Sequence, residues 1–141
     1  MCTKLAIKPK SICHCINLRR ASGLVTAFYD RQLAPAGLTI NQFSLLINIK
    51  RLNSTSVSDL AAKVGLERTT LVRTLKPLLK AGLIEDLSAS GSRNRCLQLS
   101  GAGHNRLELA MPLWDTAQKI VEEKMGREAL TNLEEWLDIF G

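Results

Sequence analysis

The chain has 141 residues, 45% of them hydrophobic and 23% charged, the make-up of one globular domain with enough apolar material for a core. Lys and Arg outnumber Asp and Glu 19 to 13, a formal net charge of +6. No apolar run approaches the ~18–20 residues of a membrane span, and MCTKLAIKPKSICHC lacks the apolar stretch of a signal peptide, so a cytoplasmic chain with no membrane partner is expected.

In chain order, residues 12–34 space Ile16, Leu24, Ala27 and Phe28 as a helix does, and Pro35 and Gly37 close the segment. Thr39, followed three residues later by Gln42, reads as a capping box opening a second helix. Its apolar face is Phe43, Leu46, Ile47 and Ile49 or Leu52, and the polar stretch 53–56 reads as a loop. Ser58 is the expected cap of a short helix bearing Leu60, Ala61 and Val64, and Gly65 suits the left-handed position that ends it.

A further helix is expected to begin near Glu67, an acid favourable at a helix N-terminus. Leu71, Leu75, Leu78 and Leu79 form its apolar stripe, with Arg68, Thr69, Arg73 and Lys76 on the other side. Pro77 withholds the N–H that would bond the carbonyl of Arg73 and is expected to kink or loosen the helix there. Two short strands, 83–87 and 95–99, read as a hairpin around the turn formers of 88–94. Helices over 100–125 and 128–140 follow, the first with Leu107, Ala110, Leu113 or Trp114, Ala117, Ile120 and Val121, the second with Leu130, Leu133, Trp136, Leu137 and Phe140. The expected fold class is mainly α with a small β-hairpin. A winged helix-turn-helix occupies 39–100, flanked by helical segments 1–38 and 101–141.

Charge follows this division. Residues 1–38 carry six Lys/Arg against one acid, 39–100 nine against four, and 101–141 four against eight. A basic body beside an acidic segment suits one surface that meets a polyanion and another that does not. The four cysteines, at 2, 13, 15 and 96, match no CxxC zinc pair, and neither a metal nor a cofactor is expected.

A short helix, a Gly-containing turn and a second helix that starts with polar and basic residues make the helix-turn-helix plan, which lays the second helix in the major groove of double-stranded DNA. The base-reading candidates are Arg68, Thr69, Thr70 and Arg73: arginine can bond guanine O6 and N7 together, and threonine offers a hydroxyl and a methyl. Lys63, Lys76 and Ser58 are placed for phosphates. Arg93 and Arg95 on the hairpin suit the narrow, negative minor groove of A/T-rich DNA.

The run VSDLAAKVGLERTTLVRTLKPLLKAGLIEDLSASGSRNRCLQLSGAG resembles the multiple-antibiotic-resistance regulator (MarR) family. Carrying the resemblance are "LA", the Gly turn, a Thr-rich recognition helix, L-x-x-x-G-L-I, a charged wing and L-[ST]-x-x-G, and the similarity extends over nearly the whole chain. It implies a homodimer, with 1–38 and 101–141 forming a helical dimerisation region and two winged domains reading a pseudo-palindromic operator. The recognition helix maps to 68–80 and the wing-tip arginine to Arg93. Gly91 departs from the pattern, because the family commonly has an Asp there that braces the wing.

The resemblance also implies a repressor released by a small aromatic ligand or by thiol oxidation. Arg20, Phe28, Phe43 and Trp114 are the candidate lining of a ligand cavity between the dimer frame and the winged domain, an arginine near aromatics being suited to a carboxylate or phenolate; the same aromatics also suit core packing. Cys13 and Cys15 flank His14 and are the candidate sensor thiols. In a helix, residues two apart point ~200° from each other, so the pair cannot easily bridge or close on one metal. No phosphate loop, HExxH, GxSxG or paired carboxylates are present, so an enzyme is not expected. The competing reading is a winged-helix protein-interaction module. Arg68, Arg73, Lys76, Arg93 and Arg95 gathered on one side favour DNA.

Overall fold

Three side-chain-capped helix starts set the frame of the molecule, a computed structural model that describes residues 8–88 and 95–141. The order is α1 (His14–Leu33), a 3-10 turn (Ala34–Ala36), α2 (Ile40–Leu52), α3 (Val57–Val64), α4 (Arg68–Lys80), β1 (Ile84–Asp86), β2 (Leu97–Leu99), α5 (Gly101–Met125) and α6 (Arg127–Phe140). At α2 the capping box forms as expected. Thr39 Oγ1 accepts from the Gln42 N–H at 3.2 Å, and Gln42 Oε1 accepts from the Thr39 N–H at 3.0 Å. The next amide, Ile40 N–H, donates to Asp30 Oδ1 of α1 at 2.8 Å, so α1 helps to cap α2.

The cap of α3 corrects the sequence expectation. Ser56, not Ser58, accepts from the Asp59 N–H, at 3.0 Å, and Ser58 is an exposed residue of the first turn. Starting the helix at Val57 buries that side chain to 2% exposure, a gain that the later start would forgo. Ser56→Ala is therefore expected to cost about 1 kcal/mol of stability, with Ser58→Ala nearly neutral, as thermal melts of the two variants will show. Gly65 (φ 70°) ends α3 in the left-handed region, as expected, its N–H bonded to the carbonyl of Ala61.

Helix α4 buries Leu71, Leu75 and Leu78. It runs on through Pro77 to Lys80, because Pro77 stands on the exposed side, where solvent can satisfy the carbonyl that proline leaves without a donor. The hairpin strands are shorter than expected. They pair antiparallel as Ile84↔Leu99, Glu85↔Gln98 and Asp86↔Leu97, and the Leu87 N–H extends the ladder to the carbonyl of Cys96 at 2.8 Å. Within the stretch expected to be a plain loop, Thr55 forms a single antiparallel bridge on the other edge of β2. It exchanges both backbone hydrogen bonds with Leu97, at 2.9 and 2.8 Å.

One core gathers Leu33, Leu45, Leu46, Ile49, Leu60, Leu71, Leu75, Leu78, Leu97 and Leu107, joining the end of α1, α2, α3, α4, the sheet and the start of α5. Ser100 caps α5 by accepting from the Gly103 N–H at 3.0 Å and ties it to the hairpin by donating to the carbonyl of Gly82. Helix α6 has no buried residue, and Leu137, Ile139 and Phe140 on it are 70%, 68% and 87% exposed.

Candidate nucleic-acid interface

The two helices of the turn motif pack through Leu60, Ala61, Leu71 and Leu75, which directs their remaining faces to solvent. On those faces stand Ser58 and Lys63 of α3 and Arg68, Thr69, Thr70, Arg73 and Lys76 of α4, every one exposed. Arg68 Nη1 donates to Ser58 Oγ at 2.8 Å, linking the start of the second helix to the first. The expected base-reading residues thus share the exposed N-terminal half of α4, four of them cationic or hydroxyl-bearing within two turns, with no acid in its first turn.

Arg93 and Gly91 lie outside the described residues. Arg95 is half-buried, and its Nε donates to Asp86 Oδ2 at 2.7 Å. Asp86 Oδ1 further accepts from the Ser88 N–H at 3.0 Å, the Ser88 hydroxyl at 2.6 Å and the Cys96 N–H at 3.3 Å. The Ser88 hydroxyl and then Arg95 hold the Asp86 carboxyl well below the usual carboxylate range. Sequence reasoning missed Asp86 because it sought a wing acid two residues before Arg93. The signal available was an acid and an arginine on facing strands, flanking the loop.

The four ligand candidates do not come together. Phe43 is buried in the core and stacks on Trp114, ring centroids 5.6 Å apart at 20°, which is the packing role. Phe28 packs edge-on to Tyr29 at 5.9 Å and lines a cleft of about 330 Å³ with Leu24, Arg31, Ile120 and Lys124. Arg20 stands about 12 Å along α1 from Phe28 at 1.5 Å per residue, and its Nη1 donates to the carbonyl of Pro9 at 3.0 Å. Tyr29, buried on the α1–α5 seam, donates its hydroxyl to Gln118 Oε1, and burial, then Glu122, raises its pKa.

Both candidate thiols are exposed. Cys15 is in the first turn of α1, but Cys13 is its N-cap, in an extended conformation (φ −89°, ψ 118°). The helical spacing that would part the two side chains therefore does not apply to this pair. Among the described residues no helix is long and apolar enough to cross a membrane.

The family model described as "MarR family" matches residues 38–91. The M. tuberculosis transcriptional regulator MosR, solved in complex with DNA, is 35% identical with a TM-score of 0.76, over 90% of this chain and 97% of that one. The chain belongs to the MarR family. The transcriptional repressor CouR bound to a 23-mer DNA duplex is similar at 26% identity, with a TM-score of 0.77 over 90% of this chain and 91% of that one. MarR from E. coli, in complex with operator DNA, shares the fold at 20% identity and a TM-score of 0.74, over 90% of this chain and 96% of that one. In MarR-family terms α3 and α4 correspond to the helix-turn-helix, and β1 and β2 to the strands of the wing.

Proposed function

We propose that this MarR-family chain is a homodimeric, DNA-binding transcriptional repressor that acts in the cytoplasm and performs no catalysis of its own. The observation that carries the reading is the exposed, acid-free N-terminal half of α4, with Arg68, Thr69, Thr70 and Arg73 outward and a leucine stripe inward. Relatives solved on DNA support it. Residues 39–100 form the DNA-binding unit, with Lys63, Lys76 and Ser58 on phosphates. Segments 1–38 and 101–141 supply the dimer interface, for which the bare apolar side of α6 and its cleft with α1, lined by Leu18, Ala21, Trp136 and Phe140, are suited. Release follows a small aromatic effector or oxidation of the exposed Cys13 and Cys15. CouR has been solved with p-coumaroyl-CoA, an aromatic acyl thioester.

A gel-shift series on the DNA upstream of the protein's own gene tests this directly. Binding should weaken steeply as salt rises, because phosphate contacts release counterions. Arg73→Ala should cost ~1–3 kcal/mol at the specific site and relax the preference at one base position. Absence of salt-dependent binding at micromolar protein would overturn the regulator reading. Repeating the shift with peroxide and with salicylate-like aromatics separates the two release schemes.

A further inference from the structure

The hairpin between α4 and α5 is slight. Its named strands are three residues each, with one further backbone hydrogen bond from Leu87 to Cys96; the bridge to Thr55 and the core hold its base, but two strands of that length do little to fix its outer end. At its outer end stands Asp86, whose carboxylate takes donors from both sides of the loop: Ser88 through amide and hydroxyl, Cys96 through its amide, and Arg95 through a 2.7 Å ion pair. A carboxylate on a surface that meets phosphates should oppose binding by simple repulsion. Four converging donors give it another use.

We propose that Asp86 is the positioning residue of the wing: its carboxylate fixes the direction in which the loop leaves the ladder, and Arg95 serves as the brace of that carboxylate rather than as a groove contact. This rests on the DNA-binding reading and adds to it. Charge-assisted bonds from Arg95 and the Ser88 hydroxyl are stronger than neutral ones, and a pair only partly exposed, at 29% and 24%, is less screened than a fully solvated one. Fixing the wing in advance removes ordering that the complex would otherwise have to supply on binding.

The test uses full-length protein and a fluorescent duplex of its own upstream DNA. Asp86→Ala should raise Kd about tenfold, against the tighter binding that loss of a negative charge alone would bring. Asp86→Asn keeps an acceptor for the Ser88 and Cys96 amides but loses the ion pair, and should fall between. Arg95→Ala also loses the ion pair alone and should match Asp86→Asn, and the Asp86→Ala/Arg95→Ala double variant should be no worse than Asp86→Ala, since the arginine acts through that carboxylate. Unchanged or tighter binding by Asp86→Ala, or additive losses in the double variant, would overturn the proposal. Tryptic cleavage after Arg95, measured without DNA, should quicken in Asp86→Ala and Asp86→Asn at unchanged melting temperature. A wild-type protein that ignores the duplex sinks the regulator reading, whereas unchanged cleavage sinks the brace.

Discussion

Replacing Gly103 by alanine is expected to lower the thermal midpoint by roughly 5–10 °C, a loss of about 2–3 kcal/mol. Helix propensity alone predicts the opposite, since alanine is better than glycine inside a helix by about 1 kcal/mol. The sign is decided by packing. Gly103 lies in the first turn of α5, buried, and a β-carbon there would fall 2.0 Å from the carbonyl oxygen of Leu83. That oxygen is backbone, already accepting from the Ser100 N–H at 3.1 Å, and cannot turn aside as a side chain would. Gly101, two residues earlier, has nothing within 4 Å of the same built atom, so Gly101→Ala is the control whose melt should barely move. A stabilised Gly103→Ala would mean that α5 does not sit against the hairpin as described.

The second large effect falls on function rather than folding. Leu133→Glu combined with Leu137→Glu is expected to yield a folded monomer by sedimentation that binds operator DNA about 100-fold or more weakly, because two linked half-sites gain their affinity by holding each other in place. Both side chains lie on α6, 42% and 70% exposed in the single chain, so the core of the winged unit is untouched by the change. The new carboxylates join Glu134, Glu135 and Asp138 on the same helix, adding like-charge repulsion to the lost apolar area. Persistence of a dimer with full DNA affinity would place the interface elsewhere on the chain.

What could be read from the sequence is what depends on near neighbours. The Thr39–Gln42 box, the left-handed turn at Gly65 and the leucine stripe of α4 are local in cause, and each stands in the structure where expected. The pattern L-[ST]-x-x-G was visible at Leu99–Gly103, but its reason, the carbonyl of Leu83 pressed against the glycine, was not. The cap of α3 was misread because Ser56 and Ser58 are equally good caps locally. Burial of Val57 and Leu60, a tertiary fact, chose between them. Asp86 with Arg95 and Thr55 with Leu97 escaped for the same reason: each joins strands through a single pairing, which leaves no periodic trace. The aromatic candidates failed as a set because a list of aromatics says nothing of which helix faces meet, and Phe43 and Trp114 met each other.

The bridge formed by Thr55 ties the helix-turn-helix to the stem of the wing. Thr55 precedes the capping Ser56 directly, so the residue that starts the helix-turn-helix and the residue that roots the wing, Leu97, are clamped by two backbone hydrogen bonds at a buried position. Separating α4 from the stem of the wing means breaking that clamp together with the leucine core beneath it. In the proposed dimer, each such unit would act like the jaw of a caliper, its helix-turn-helix and wing stem moving together and its distance and tilt from its twin open to change. A signal that acted on the proposed dimer interface would then have one quantity to alter, the span between jaws, and a duplex whose half-sites recur every helical turn is sensitive to that span.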